Sequence, residues 1–179
     1  MWWPKEVSAV NTTIAYLSPL YLNDPAEPAE AVQPLLNLAR HVVHSSNRTC
    51  TVELIAFGPA AREHEMGPGV RLRVLPIAYR GGHPLDVLSW DLPLVLAQAD
   101  VVHIHQANTR TGEMGLLIAK LQRKPVCLST QGESSSRLGE SVNFLALADD
   151  QIELGDPAED APRLVRIYRR LAGGVEEAA

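Results

Sequence analysis

At 179 residues the chain has the size of one domain, and 46% hydrophobic with 21% charged residues is the balance of a globular protein, not of a disordered or fibrous one. A formal net charge of -5 without any concentrated run of Lys and Arg argues against a nucleic-acid backbone as the main partner. No stretch reaches the roughly 18 apolar residues of a membrane span, and the opening "MWWPKEVSAVNTT" lacks the apolar core of a secretory leader, so a cytoplasmic location is expected.

The first element is "TTIAYLSPL", 12–20, an apolar run rich in β-formers that reads as a buried strand ending at Pro19. After the Pro-rich "YLNDPAEPAE", Val32, Leu35, Leu36, Ala39, Val42 and Val43 recur at helical spacing, with Glu27 and Glu30 near the positive end of the helix dipole. Strands follow at 50–57 ("CTVELIAF") and 70–77 ("VRLRVLPI"), and "GPAAREHEMGPG" between them is a loop by composition. "HPLDVLSWDLPLVLAQ" carries apolar residues at helical spacing, with Pro93 bending or interrupting the helix. A short strand at 100–105, a helix at 112–123 and a strand at 125–130 come next. Cys50 and Cys127 each lie inside a strand-like run, the usual place for a small buried hydrophobe; two cysteines alone cannot build a structural zinc site. Asn11 and Asn47 fit the glycosylation sequon, a match without meaning in a chain expected to be cytoplasmic.

Strands alternating with helices predict an α/β fold: a single Rossmann-like domain with a mostly parallel sheet and helices on both faces. The expected organisation is one domain over 1–149, a linker at 150–160 and a C-terminal amphipathic helix at 161–174. In that helix Leu164, Ile167, Tyr168 and Leu171 share one face, opposite Arg163, Arg166, Arg169 and Arg170, which suits packing on the domain or peripheral contact with anionic lipid.

In parallel sheets ligands gather beyond the carboxyl ends of the strands, which singles out three segments: the loop after Ser18, the His105 to Gly112 loop, and the turn after Thr130. His103 and His105 stand two apart on a strand and so point to one face. No third ligand is apparent nearby, and no metal site is expected. His105, nearer the loop, is the candidate for facing a ligand; His103 suits a structural hydrogen bond. Gln106, Asn108, Thr109 and Arg110 follow on the loop, Thr111 with Gly112 suits a helix cap, and Gln131, Gly132, Glu133 and Ser134 open the later polar turn. The chain contains no G-x-S-x-G elbow, no G-x-G-x-x-G after its first strand and no Walker A lysine motif, which removes the serine-hydrolase, dehydrogenase and P-loop readings.

Six segments in order, "IAYLSPLYL", "LLNLARHV", "GVRLRVLP", "ADVVHIHQ", "RKPVCLSTQGE" and "SSSRLGESVNFLALAD", resemble the N-terminal, acceptor-side domain of family 4 GT-B glycosyltransferases over roughly residues 12 to 149. The terminal "RLVRIYRRLAGG" is similar to the helix that closes such enzymes. The resemblance implies transfer of a sugar from a nucleotide-sugar donor to a hydroxyl acceptor, with no other cofactor. It also implies departures. Asp149 and Asp150 lead within about a dozen residues to the terminal helix, where the family carries a donor-binding domain. Ala26 and Glu27 stand where the family has the glycines of its phosphate loop, and Gln131 beside Gly132 stands where it commonly has a histidine. The expected function is therefore the acceptor-side half of a glycosyltransferase, inactive without a donor domain from another chain. A non-catalytic partner or regulatory subunit of a glycosyltransferase, and a truncated remnant, are the alternatives. The expected partners are a donor-domain or full-length glycosyltransferase chain or a second copy, together with a hydroxylated acceptor.

Overall fold

Strands buried on both faces of a parallel sheet are written as nearly unbroken apolar runs, and four such runs build the centre of this protein. The computed structural model describes residues 11–23, 30–82, 85–107, 109–130 and 144–173. In chain order its elements are β1 (Thr12–Tyr21), α1 (Gln33–Ser45), β2 (Cys50–Gly58), β3 (Arg62–Gly67), β4 (Val70–Pro76), β5 (Tyr79–Arg80), β6 (Val87–Leu88), α2 (Leu92–Ala97), β7 (Val101–His105), α3 (Arg110–Leu121), β8 (Val126–Thr130), β9 (Asp150–Glu153) and α4 (Pro157–Leu171).

Seven strands form one sheet in the order β3-β4-β2-β1-β7-β8-β9, and β5 pairs with β6 in a separate two-stranded ribbon. Every neighbouring pair in the large sheet is parallel except β3 with β4. Counting the parallel strands alone, the sequence runs third, second, first, fourth, fifth, sixth across the sheet, the order of the doubly wound Rossmann-like fold. The direction of winding therefore reverses between β1 and β7.

Helices cover both faces. On one, α1 and α4 lie together over Ile14, Tyr16, Val52, Leu54 and Leu72; on the other, α2 and α3 lie over Ala15, Leu17, Ile55, Phe57, Val102 and Ile104. The α1 residues Leu35, Leu36, Ala39, Val42 and Val43 are buried as their spacing predicts. Helix α4 turns Leu164, Val165, Ile167 and Tyr168 into the core, so its apolar face is covered by protein and not offered to a lipid surface. Two of its arginines are engaged within the domain, Arg170 with Asp150 and Arg169 with the Thr49 hydroxyl. Cys50 and Cys127 are free and buried. No helix among the described residues is long and apolar enough to cross a membrane.

The structure departs from the sequence expectation in several places. β1 does not stop at Pro19 but continues to Tyr21, because the proline falls in a shift of register between Leu17 and Tyr21, where no ladder N–H is needed. The segment read as a loop contains β3, an edge strand whose Glu63 and Glu65 stand opposite Arg73 and Arg71 of β4. Pro93 does not bend a long helix: it opens the six-residue α2, occupying a first-turn position where its missing N–H costs nothing, and Val87–Leu88 is strand. Residues 150–160 are not a linker, since 150–153 form β9 on the free edge of β8. Helix α4 starts at Pro157, four residues before the expected 161, because Asp156 caps it by accepting a hydrogen bond from the Ala158 amide at 2.7 Å.

Candidate functional site

The register of the parallel strands decides what surrounds the two histidines. Tyr16 of β1 stands beside His103 of β7, which stands beside Cys127 of β8; one step along, His105 stands beside Ser129. All of these side chains lie on the α1/α4 face. The result is a buried polar cluster in an apolar wall, made from strands far apart in sequence.

His103 and His105 stack with ring centroids 4.2 Å apart, and the Tyr16 ring meets each edge-on at 5.0 Å. The Tyr168 hydroxyl, brought in by α4, donates to the Tyr16 hydroxyl at 2.9 Å and lies 2.5 Å from His103 Nδ1. With its one proton directed to Tyr16, the Tyr168 oxygen accepts from His103 Nδ1–H. His103 thus makes a structural hydrogen bond that ties α4 to the sheet. His105 Nδ1 is 2.8 Å from Ser129 Oγ. Its Nε2 is buried and has no protein partner, as is that of His103.

Burial keeps both imidazoles neutral. It pushes His105 down to about 3, and it lowers His103 well below the usual histidine range, with the His105 ring adding to the effect. Burial likewise raises both tyrosines above the ordinary phenol range and pushes Cys127 up to about 12, with Asp150 contributing. Nothing in the cluster carries charge near neutral pH, so its chemistry is hydrogen bonding rather than proton transfer. Among the described residues no group of three His, Cys, Asp or Glu side chains is placed to hold a metal ion.

His105 reaches the surface at a small cleft of about 70 Å³ lined by Ser18, Leu20, Pro34, Leu35, His105, Gln106 and Ser129. The cleft opens beyond the carboxyl ends of β1, β7 and β8, at the point where the winding of the sheet reverses, and it abuts the first turn of α1. No lysine or arginine lines it among the described residues.

Of the residues singled out from sequence, His105 and Gln106 line this cleft, Gln106 with a left-handed backbone (φ 60°). Thr109 serves α3 instead: its hydroxyl caps the helix by accepting from the Gly112 amide at 3.1 Å, the role expected of Thr111. Thr111 is buried and donates to the Val87 carbonyl at 2.6 Å. Arg110 turns toward the ribbon, 3.8 Å from the Asp86 carboxylate and 3.5 Å from the Tyr79 hydroxyl, and does not enter the cleft. Ala26, Glu27, Asn108, Gln131, Gly132, Glu133 and Ser134 lie outside the described residues. Ser129 and Leu35 were not anticipated in the cleft. Ser129 had a signal, a polar residue with Thr130 at the end of an apolar strand, but only the register sets it against His105.

Gly112 holds the loop and helix together. A Cβ there would lie 2.8 Å from both Ala107 Cα and the Gln106 carbonyl oxygen, backbone atoms that cannot rotate away. Gly112→Ala is expected to destabilise the protein by about 1–3 kcal/mol. Gly82→Ala, where nothing lies within 4 Å among the described residues, is expected to cost little. Urea unfolding of the two variants compares them directly, and equal midpoints would show that the loop is not packed as described.

No family model and no curated protein matches this chain. Similar solved structures include DNA processing protein A from Helicobacter pylori, which binds single-stranded DNA, at 12% identity and a TM-score of 0.46, covering 89% of this chain and 82% of that one. A putative UDP-N-acetylglucosamine 2-epimerase from Listeria monocytogenes is similar at 13% identity and a TM-score of 0.47, covering 86% of this chain but 42% of that one.

Proposed function

We propose that this chain is the acceptor-side half of a glycosyltransferase-like protein, whose cleft between β1, β7 and β8 receives a hydroxyl-bearing ligand and whose donor site comes from another chain. One observation carries the reading. A neutral histidine, satisfied at Nδ1 by Ser129 and unpartnered at its buried Nε2, forms part of the lining of a small cleft at the reversal point of a doubly wound sheet, where such sheets bind their ligands. The cleft has Ser, His and Gln functions and no cation among its described residues, which matches a hydroxyl better than a phosphate or carboxylate. Its volume admits one group of a ligand and not a whole sugar. Transfer of a glycosyl unit needs a second wall to bind the donor and exclude water, so the purified chain should not transfer on its own. A non-catalytic partner or regulatory subunit of a glycosyltransferase would use the same cleft for binding alone, and a truncated remnant would not bind at all.

Imidazole-detected NMR of the ¹⁵N-histidine-labelled chain tests this. Titration with methyl α-D-glucopyranoside and with UDP-glucose is expected to move the His105 Nε2 resonance with the neutral glycoside, with no gain from the diphosphate. Indifference of His105 to both, or transfer from UDP-glucose by the chain alone, overturns the reading.

A further inference from the structure

Helix α3 is apolar on both of its faces. Gly115, Leu116 and Ala119 pack on the sheet, yet the outward positions Met114, Leu117 and Leu121 are also apolar and run in one stripe at helical spacing. A helix apolar all round belongs in an interior. The contrast with α4, whose outward side carries Arg163, Arg166, Arg169 and Arg170, shows that this is not the general style of the surface. The stripe continues onto α2. The Gln122 side chain donates to the Pro93 carbonyl at 2.7 Å, which ties the end of α3 to the first turn of α2, the helix that carries Leu94, and Trp90 lies in the turn entering α2. Leu121 and Trp90 are each 85% exposed and Leu94 67%.

We infer that this face is a homodimer interface, occupied by the same face of a second copy of the chain, with the two α3 helices antiparallel about a two-fold axis near Leu117. Two features select this occupant. The first is the size of the patch: Met114, Leu117, Leu121, Leu94 and Trp90 are five large exposed apolar side chains on adjoining elements, where an ordinary monomer shows such residues scattered singly. The second is charge. Glu113 lies toward one end of the stripe and Arg123 just past the other, and among the described residues neither makes an ion pair within the chain. An antiparallel two-fold arrangement faces Met114 with Leu121 of the second copy and brings Glu113 toward its Arg123, twice over. A parallel arrangement would set like charges together. The inference rests on this face alone and is independent of the cleft.

Sedimentation velocity of the full chain over a concentration series tests it, with circular dichroism to confirm that each variant is folded. The wild type is expected to show a reversible monomer–dimer equilibrium. Leu121→Arg, at a position outside the core, should raise the dimer Kd by about thirtyfold or more. Glu113→Arg should weaken the dimer, and Glu113→Arg combined with Arg123→Glu should restore it. A wild type monomeric at every concentration, or a dimer indifferent to Leu121→Arg, overturns the interface. A double variant as weak as Glu113→Arg alone overturns the antiparallel arrangement.

Discussion

Between pH 7.5 and pH 5 the protein is expected to lose about 2 kcal/mol of stability through His105, with His103 adding a loss in the same direction. The sign follows from burial. Both imidazoles titrate far lower in the folded protein than the unperturbed value of about 6.5, His105 at about 3. Below the unfolded value the unfolded chain takes up protons that the folded chain refuses, so stability is full above about pH 6.5 and falls as the pH drops toward the folded values. The loss is large against a typical domain stability of about 5–15 kcal/mol. Burial raises the Glu53 carboxyl, which gains stability as the pH falls and so opposes the histidine loss. Urea unfolding at intervals of pH measures it, and His105→Asn should reduce the slope by removing the His105 share. A stability curve flat from pH 7.5 to 5 would mean that the imidazoles are hydrated and that the cluster is not closed as described.

Tyr168→Ala is expected to cost about 3–5 kcal/mol and to release α4 from the sheet. The ring is fully buried between α4 and the sheet, and its hydroxyl is the one polar link from α4 to both Tyr16 and His103. Tyr168→Phe separates the two contributions. It keeps the ring but leaves His103 Nδ1–H and the Tyr16 hydroxyl buried without a partner, for about 1–3 kcal/mol each. Thermal melts read the totals, and amide exchange in α4 reads where they act: protection should fall first across Leu164 to Leu171. If Tyr168→Phe is neutral and Tyr168→Ala leaves α4 protected, the helix is held by Ala161, Leu164 and Val165 without help from the cluster. A double-mutant cycle with His103→Leu should return a coupling of about 0.5–3 kcal/mol, as for residues sharing one hydrogen bond.

Much of this fold is written locally. The runs at β1, β2, β7 and β8 are apolar enough to be buried on both faces, and the helical spacing of Leu35, Ala39 and Val42 on α1 and of Leu164, Ile167 and Tyr168 on α4 declares which side faces in. Elements with little to bury left no such trace. β3 is an edge strand of exposed charge, paired to β4 through Glu65–Arg71 and Glu63–Arg73, and β9 turns only Ile152 inward. In both, backbone pairing to a neighbour and not a hydrophobic period makes the strand.

The candidate site divides in the same way. Sequence by itself determined that His103 and His105 share one face of a strand, that their loop leads into a helix, and that the carboxyl ends of the strands are where ligands would gather, because side-chain alternation and connection rules depend on neighbours in the chain. Only the tertiary structure decided that His103 meets Tyr168, 65 residues away, and that His105 meets Ser129, 24 residues away. It also turned Arg110 toward Asp86 and left Met114, Leu117 and Leu121 on the outside. Those outcomes depend on strand register and helix docking, set by the packing of the whole core, and no local pattern encodes which distant residue will stand alongside.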